Sequence, residues 1–161
     1  MDLFLIRHAE AIELGEQGIT CDDDRPLTPK GEQQAQSAAR ALALRGITLD
    51  KIYTSPLLRA KQTAEIMLAT WAMPELSLEL CEELRPSVKP RKLCKSLIKC
   101  GGEKIALVGH MPHLGEFAGW LLGDKEHQIE LAKAGVAYLT CRDRPGKGMA
   151  KLRWLVTPDW Y

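Results

Sequence analysis

Short apolar runs alternate with helix-forming stretches along most of the chain. The runs DLFLI (2–6) and KIALV (104–108) are continuous apolar segments of the kind that form strands buried on both faces. Strands are predicted at residues 2–6, 49–55, 76–80, 104–110, 135–141 and 151–157. Helices are predicted at residues 29–44, 57–72, 89–100 and 113–123. This alternation predicts an α/β fold with a mostly parallel sheet and helices on both faces.

Several residue pairs mark where these elements begin and end. Thr28-Pro29 and Ser55-Pro56 combine an N-cap residue with a proline suited to the first helical turn. Gly46 is placed to end the first helix, and Pro74 to stop the second. The turn-rich connector RDRPGKG (142–148) separates the last two strands, which we expect to form an antiparallel pair.

Length, charge and cysteine usage narrow the class of protein. The 161 residues fit one domain spanning 1–161, and a net charge of +1 gives no general field for nucleic acid or an anionic membrane. Five cysteines without a Cys-x-x-Cys pair exclude the usual zinc spacing and indicate reduced thiols, hence a cytoplasmic location. No stretch approaches the ~20 apolar residues of a membrane span. We expect a monomer that binds neither nucleic acid nor membrane.

Two histidines follow strongly apolar strands. His8 and His110 both lie at predicted carboxyl ends, where ligands of such sheets bind, so we expect them to be neighbours. Arg7 precedes His8, and Arg59 lies close to the helix start at Ser55-Pro56. Taken singly, each of these residues is more often a solvated surface residue.

Together, these residue types complement phosphoryl chemistry. Arginine binds phosphoryl oxygens through two parallel hydrogen bonds, and a helix N-terminus adds backbone donors. An unprotonated histidine can act as the nucleophile towards phosphorus.

Four segments then resemble one known family. The segments are LIRHAEA (5–11), RPLTPKG (25–31), YTSPLLRAKQTAE (53–65) and LVGHMP (107–112), and they occur in the family's order. They resemble the histidine phosphatase superfamily, the phosphoglycerate mutase-like proteins. Within it the short chain is most similar to the SixA-type phosphohistidine phosphatases.

The resemblance implies a fold and a mechanism. The fold is a single-domain three-layer sandwich without a large lid insertion. His8 becomes phosphorylated and water hydrolyses the intermediate, while Arg7, Arg59 and His110 bind the phosphoryl oxygens. These cations take the place of a metal, so no metal and no other cofactor is expected. We expect Nδ1 of His8 to donate to a backbone carbonyl and His110 to be protonated in the complex.

Further residues have two interpretations each. Arg25 is a substrate-binding candidate, or a loop arginine paired with Asp22, Asp23 or Asp24. Ser55 bonds the phosphate or the catalytic arginine, or caps its helix, and the two roles are compatible. Glu83 is the possible general acid, or an exposed carboxylate.

The two remaining histidines receive structural interpretations. We expect His113 to be solvated at a helix start and His127 to lie on the surface.

The implied substrate is phosphohistidine on a protein, such as a phosphotransfer domain or phosphocarrier. The N–P bond of phosphohistidine is labile, so its cleavage needs little help from a general acid. The short connectors after Pro74 leave little chain for a lid, and an open site suits a phosphorylated side chain on a protein surface. The alternatives are a phosphatase of small phosphomonoesters, such as sugar phosphates, and a silent module that only binds phosphorylated partners.

Overall fold

The computed structural model describes residues 1–71, 73, 75–124 and 129–160. Pro74 and His127, for which the sequence predicts a helix stop and a surface position, lie outside the described residues.

Six strands form one mixed sheet. They are β1 (Asp2–Arg7), β2 (Lys51–Thr54), β3 (Ser77–Leu80), β4 (Lys104–Gly109), β5 (Val136–Cys141) and β6 (Ala150–Val156), in the order β3-β2-β4-β1-β5-β6. The first four strands in this order run parallel, and β5 is antiparallel to both β1 and β6. The predicted mostly parallel sheet and the antiparallel final pair are confirmed.

Four α-helices accompany this sheet in the described part of the chain. They are α1 (Pro29–Leu44), α2 (Leu58–Trp71), α3 (Pro90–Cys100) and α4 (His113–Leu122). Thr28 caps α1 as predicted, because its Oγ1 accepts the Gly31 N–H at 3.0 Å. Gly46 follows α1 with a φ of +68°, a conformation that glycine adopts without strain. Helix α2 begins at Leu58, later than the Ser55-Pro56 signal predicts, and Arg59 is its second residue.

The sheet separates two apolar cores. Phe4 and Ile6 of β1 point into the core that contains residues of α1 and α2. Leu3 and Leu5 point into the other core, which contains residues of α3 and α4. Because alternate residues of a strand face opposite sides, one apolar run supplies both layers. The predicted three-layer architecture is therefore confirmed.

The carboxyl ends of three neighbouring strands meet at one edge of this sheet. Arg7 pairs with Gly109, and Thr54 pairs with Val108, so β1, β4 and β2 end at the same level. His8, His110 and Ser55 follow these strand ends directly.

Two further observations bear on the class of protein. No helix among the described residues is long and apolar enough to cross a membrane. All five cysteines are free thiols.

Candidate active site

The structure brings His8 and His110 together at the sheet edge. Their ring centroids lie 5.0 Å apart, and both side chains are buried. The His8 N–H donates to the Gly109 carbonyl at 2.9 Å, which continues the β1–β4 ladder beyond the strand ends. The parallel pairing of β1 and β4 thus places His8 next to His110, about a hundred residues later in the chain.

The hydrogen bonds of His8 define its tautomer. Nδ1 lies 2.7 Å from the Ala9 carbonyl, which only accepts, so Nδ1 carries the proton as expected. The lone pair is then on Nε2, and Arg59 Nε donates to it at 3.3 Å. Thr63 holds this arrangement together: its hydroxyl accepts from the Ala9 N–H and donates to the Arg59 carbonyl.

Arg59 is buried and bonded to a loop residue. Its Nη1 donates to the Asp22 carbonyl at 2.6 Å, and its Nη2 donates to Asp22 Oδ2 at 2.9 Å. Asp22 lies in a short 3-10 turn, Asp22–Asp24, that precedes α1. Sequence reasoning considered Asp22 only as a partner of Arg25, because no local signal shows that its loop folds over α2.

Arg7 borders the same cluster from the other side. Its Nη1 donates to the Leu131 carbonyl at 2.9 Å, and its buried Nε has no partner among the described residues. Arg7, Met111, Pro112 and Glu130 line an open groove of about 420 Å³. Arg7 therefore connects the histidine pair with an accessible surface.

Ser55 contacts His110 instead of an arginine. Its Oγ lies 2.8 Å from His110 Nε2 and accepts the Leu57 N–H at 3.4 Å, next to the start of α2. Because α2 begins at Leu58, Ser55 is not the N-cap that the sequence predicts. Its hydroxyl accepts from a residue before the helix and contacts the second histidine. The buried His110 Nδ1 has no partner among the described residues.

Burial and nearby cations keep both histidines neutral. Desolvation, together with Arg59 and Arg7, lowers the pKa of His8 to about 4. Desolvation, with His8 and Arg59, lowers the pKa of His110 to about 2. These causes oppose the protonation of His110 that we expect in the complex, whereas the negative charge of a bound phosphoryl group favours it.

Arg25 is held by a carbonyl and two carboxylates, and one of these carboxylates, Asp22, also accepts from Arg59. It donates to the Ile12 carbonyl at 2.6 Å, to Asp22 Oδ1 at 3.0 Å and to Glu13 Oε2 at 2.8 Å. The predicted ion pair with Asp22 is present. Arg25 is also among the cations that lower the pKa of His8, so it belongs to the electrostatic surroundings of the site.

Glu83 is bonded to residues other than the histidine cluster. Its Oε2 accepts from Ser96 Oγ at 3.3 Å and from the Cys81 thiol at 3.5 Å. The structure describes no hydrogen bond from Glu83 to His8, His110 or the two arginines.

The expected solvation of His113 is wrong. This side chain is only 1% exposed, and a hydrogen bond with the Val88 backbone opposes the lowering of its pKa. Leu114 and Phe117 pack in the core on the α3 and α4 side, so the start of α4 is buried as well. Burial lowers the pKa of His113, and His113 lies close enough to His110 to influence its pKa.

The described residues contain no group of three or more His, Cys, Asp or Glu side chains that could hold a metal ion. The polar groups that converge here are instead imidazoles, guanidinium groups and a hydroxyl. This donor set complements a tetrahedral anion.

Comparison with known proteins identifies the family. The sequence model of the histidine phosphatase superfamily (branch 1) matches residues 3–86. The chain belongs to the histidine phosphatase superfamily. This stretch contains His8, Arg25 and Arg59, and members of this superfamily are phosphatases.

Curated relatives agree with this membership. An uncharacterized protein of Picosynechococcus sp. is 35% identical over 84% of this chain and 82% of its own length. The mitochondrial serine/threonine-protein phosphatase Pgam5 of Drosophila grimshawi is 36% identical over 52% of this chain, and the match spans 27% of that protein.

Solved structures share the fold at low sequence identity. The protein histidine phosphatase SixA complexed with tungstate has a TM-score of 0.84 and 24% identity, with 99% of this chain and 98% of that chain covered. The α-ribazole phosphatase of Shigella flexneri has a TM-score of 0.74 and 18% identity, with 98% and 97% covered. A phosphoserine phosphatase of Entamoeba histolytica has a TM-score of 0.68 and 20% identity, with 97% and 96% covered. These names differ in the phosphorylated group, and at these identities the likeness shows the fold and not the substrate.

Proposed function

We propose that this protein is a phosphohistidine phosphatase that works through a phospho-His8 intermediate. The observation that carries the proposal is the state of His8. Its Nδ1 proton is fixed on the Ala9 carbonyl, and its unprotonated Nε2 faces Arg59, with His110 beside it. A nucleophile needs that free lone pair, whereas a module that only binds phosphate does not.

In the first step, Nε2 of His8 attacks the phosphorus atom of the substrate. A bond forms between Nε2 and phosphorus, and the N–P bond to the substrate imidazole breaks. The departing imidazole nitrogen takes a proton from solvent. The Arg59 N–H and the phosphorus atom cannot share the lone pair of Nε2. Arg59 therefore leaves Nε2 and turns its N–H groups to the phosphoryl oxygens.

In the second step, water attacks the phosphorus atom of phospho-His8. The P–Nε2 bond breaks, inorganic phosphate leaves, and His8 returns to its neutral form. Arg7, Arg59 and His110 hold the oxygens in both steps, with Ser55 orienting His110 and Arg25 adding positive charge. Positioning and charge stabilisation carry most of the catalysis in phosphoryl transfer.

The surroundings of the site favour phosphohistidine on a protein. The groove beside Arg7 is open, as a phosphorylated side chain on another protein would require. Glu83 is engaged by Ser96 and Cys81, and an imidazole leaving group needs less help from an acid than an alkoxide does. We propose a phosphotransfer domain or phosphocarrier in the cytoplasm as the partner, and a monomeric enzyme that needs no metal.

The nucleophile is tested with a phosphotransfer domain carrying radiolabelled phosphohistidine. We expect label on His8 after rapid quenching, and His8→Ala to lower kcat/KM at least a thousandfold. Arg59→Ala removes charge stabilisation of about 3 kcal/mol, so we expect a loss of about a hundredfold. Arg91→Ala, an exposed arginine on α3, is the matched control and should retain full activity. Full activity of His8→Ala would contradict the mechanism.

The substrate class is tested with a panel of phosphohistidine protein and sugar phosphates, with and without a chelator. We expect the protein to be preferred, with no effect of the chelator. Glu83→Gln should leave hydrolysis of the N–P bond nearly unchanged, with Glu82→Gln as the control. A preference for sugar phosphates together with a large loss in Glu83→Gln would favour the small-ester alternative.

A further inference from the structure

Asp22 occupies the part of Arg59 that an anion would bind. The Asp22 carbonyl and Oδ2 accept from the two terminal nitrogens of Arg59, at 2.6 and 2.9 Å. The third nitrogen, Nε, donates to His8 Nε2. All three guanidinium nitrogens are therefore engaged in the free protein.

The carboxylate of Asp22 also accepts a hydrogen bond from Arg25, the arginine of the same loop. Its Oδ1 accepts from Arg25 Nη1 at 3.0 Å, so one carboxylate spans Arg25 and Arg59. Hydrogen bonds from these two arginines hold the pKa of Asp22 below its ordinary value, although partial burial opposes the shift. Asp22 is thus ionised and presents a negative charge to the cations that line the phosphoryl site.

We propose that Asp22 is a specificity residue, an internal competitor that Arg59 must release before it binds a phosphoryl group. The inference rests on the phosphoryl site of the proposed function and not on the identity of the substrate. Asp22 takes one N–H of each terminal nitrogen of Arg59, and a phosphoryl group cannot use these same two N–H groups at the same time. An anion that binds this fork of Arg59 therefore binds against the cost of releasing Asp22.

This competition discriminates against free inorganic phosphate. Inorganic phosphate, the reaction product, contacts only the cationic site, and these contacts alone must displace Asp22. A phosphorylated protein gains additional contacts in the groove beside Arg7, and these offset the loss of the Asp22–Arg59 pair. The Asp22–Arg59 pair therefore lowers the affinity for phosphate more than the affinity for the phosphorylated protein, and product inhibition is reduced.

The turn that carries Asp22 is anchored independently of its carboxylate. Asp23 accepts from Arg85 at 2.8 Å, and Arg25 Nε donates to the Ile12 carbonyl. A substitution at Asp22 therefore removes the competing charge and leaves the loop tethered on both sides. Asp24, in the same turn and exposed, is the matched control for loss of one negative charge.

The test is a calorimetric titration with inorganic phosphate at pH 7 and fixed ionic strength. The Asp22 side chain is 47% exposed, so solvent screens the pair, and we expect Asp22→Asn to bind phosphate about five- to tenfold more tightly. Asp22→Ala should tighten binding at least as much, and Asp24→Asn should match the parent. Tighter binding cannot arise from damage to the fold.

Unchanged, weaker or undetectable phosphate binding in both Asp22 variants would overturn the proposal. In that case Asp22 would serve to position Arg59. This outcome is separable from failure of the proposed function, because the titration requires no turnover and no phosphohistidine substrate.

Discussion

At the scale of single residues, burial and three arginines determine how His8 behaves. Desolvation penalises the imidazolium form, and Arg59, Arg7 and Arg25 add like-charge repulsion. The bond from Nδ1 to the Ala9 carbonyl opposes the shift but does not cancel it. The same forces that keep His8 unprotonated also make the folded protein sensitive to acid.

We expect His8 to make stability depend on pH below neutrality. Its pKa is about 4 in the folded state and near the ordinary 6.5 in the unfolded chain, so the unfolded chain binds more protons between these values. The stability contributed by neutral His8 is then fully present above pH 6.5 and is lost as the pH falls towards 4. At one pKa unit per 1.36 kcal/mol, protonation of His8 in the unfolded chain lowers stability at pH 4.5 by about 2–3 kcal/mol.

Urea denaturation at pH 7 and pH 4.5 measures this effect. His8→Gln removes the titration, so from pH 7 to pH 4.5 the free energy of unfolding of this variant should fall by about 2–3 kcal/mol less than that of the parent. His110 and His113 remain titratable in both proteins and supply the shared part of the slope. Equal pH slopes in parent and variant would refute the expectation.

At the scale of elements, α1 packs closely against the segment that follows β1. The Thr28 N–H donates to the Glu10 carbonyl at 3.0 Å, and a Cβ on Gly31 would overlap that same carbonyl oxygen. Gly31 therefore permits the close approach of α1 to Glu10, two residues after His8. The glycine of the RPLTPKG segment thus helps to position the chain next to His8 from outside the site.

We expect Gly31→Ala to destabilise the protein by about 1–3 kcal/mol, because the added methyl group must displace backbone. The displacement should also lower kcat, since Glu10 is linked through Ala9 to His8. Gln33→Ala, at an exposed position of α1, is the control and should change neither quantity. Thermal unfolding and steady-state kinetics measure the two effects, and a fully active, fully stable Gly31→Ala would contradict this packing argument.

At the scale of the whole molecule, one sheet serves two cores. The core on the α1 and α2 side contains Met67, and the core on the α3 and α4 side contains Phe117. Strand β1 contributes residues to both, so neither layer retains its packing surface when the sheet is lost. The site lies at the edge of this shared sheet, where both layers end.

We therefore expect both layers to unfold in one cooperative transition. Phe117→Ala, at a fully buried position, should lower the free energy of unfolding by about 3–5 kcal/mol, and Met67→Ala by about 2–5 kcal/mol. Leu44→Ala, at a position 88% exposed, is the control. Circular dichroism and tryptophan fluorescence should give coincident curves for all three variants, whereas separate transitions would show that the layers unfold independently.

The sequence by itself determined the elements and the segments that carry the histidines and arginines of the candidate site. Strand and helix signals are local, since they depend on apolar periodicity, N-cap residues and prolines within a few positions of one another. The motifs around His8, Arg59 and His110 are equally local, and the parallel-sheet rule sufficed to place both histidines at one edge. The Nδ1 bond of His8 was predictable from the role proposed for His8, because a nucleophile needs its other ring nitrogen free.

Only the tertiary structure decided the contacts between elements distant in the chain. Asp22 reaches Arg59 because the loop before α1 folds over the start of α2, and a polar, aperiodic loop has no pattern that specifies its path. His113 is buried because α4 packs its first turn inward, although a histidine at a helix start resembles a solvated one in sequence. Such contacts depend on how layers pack, which is a property of the whole chain and not of any short segment.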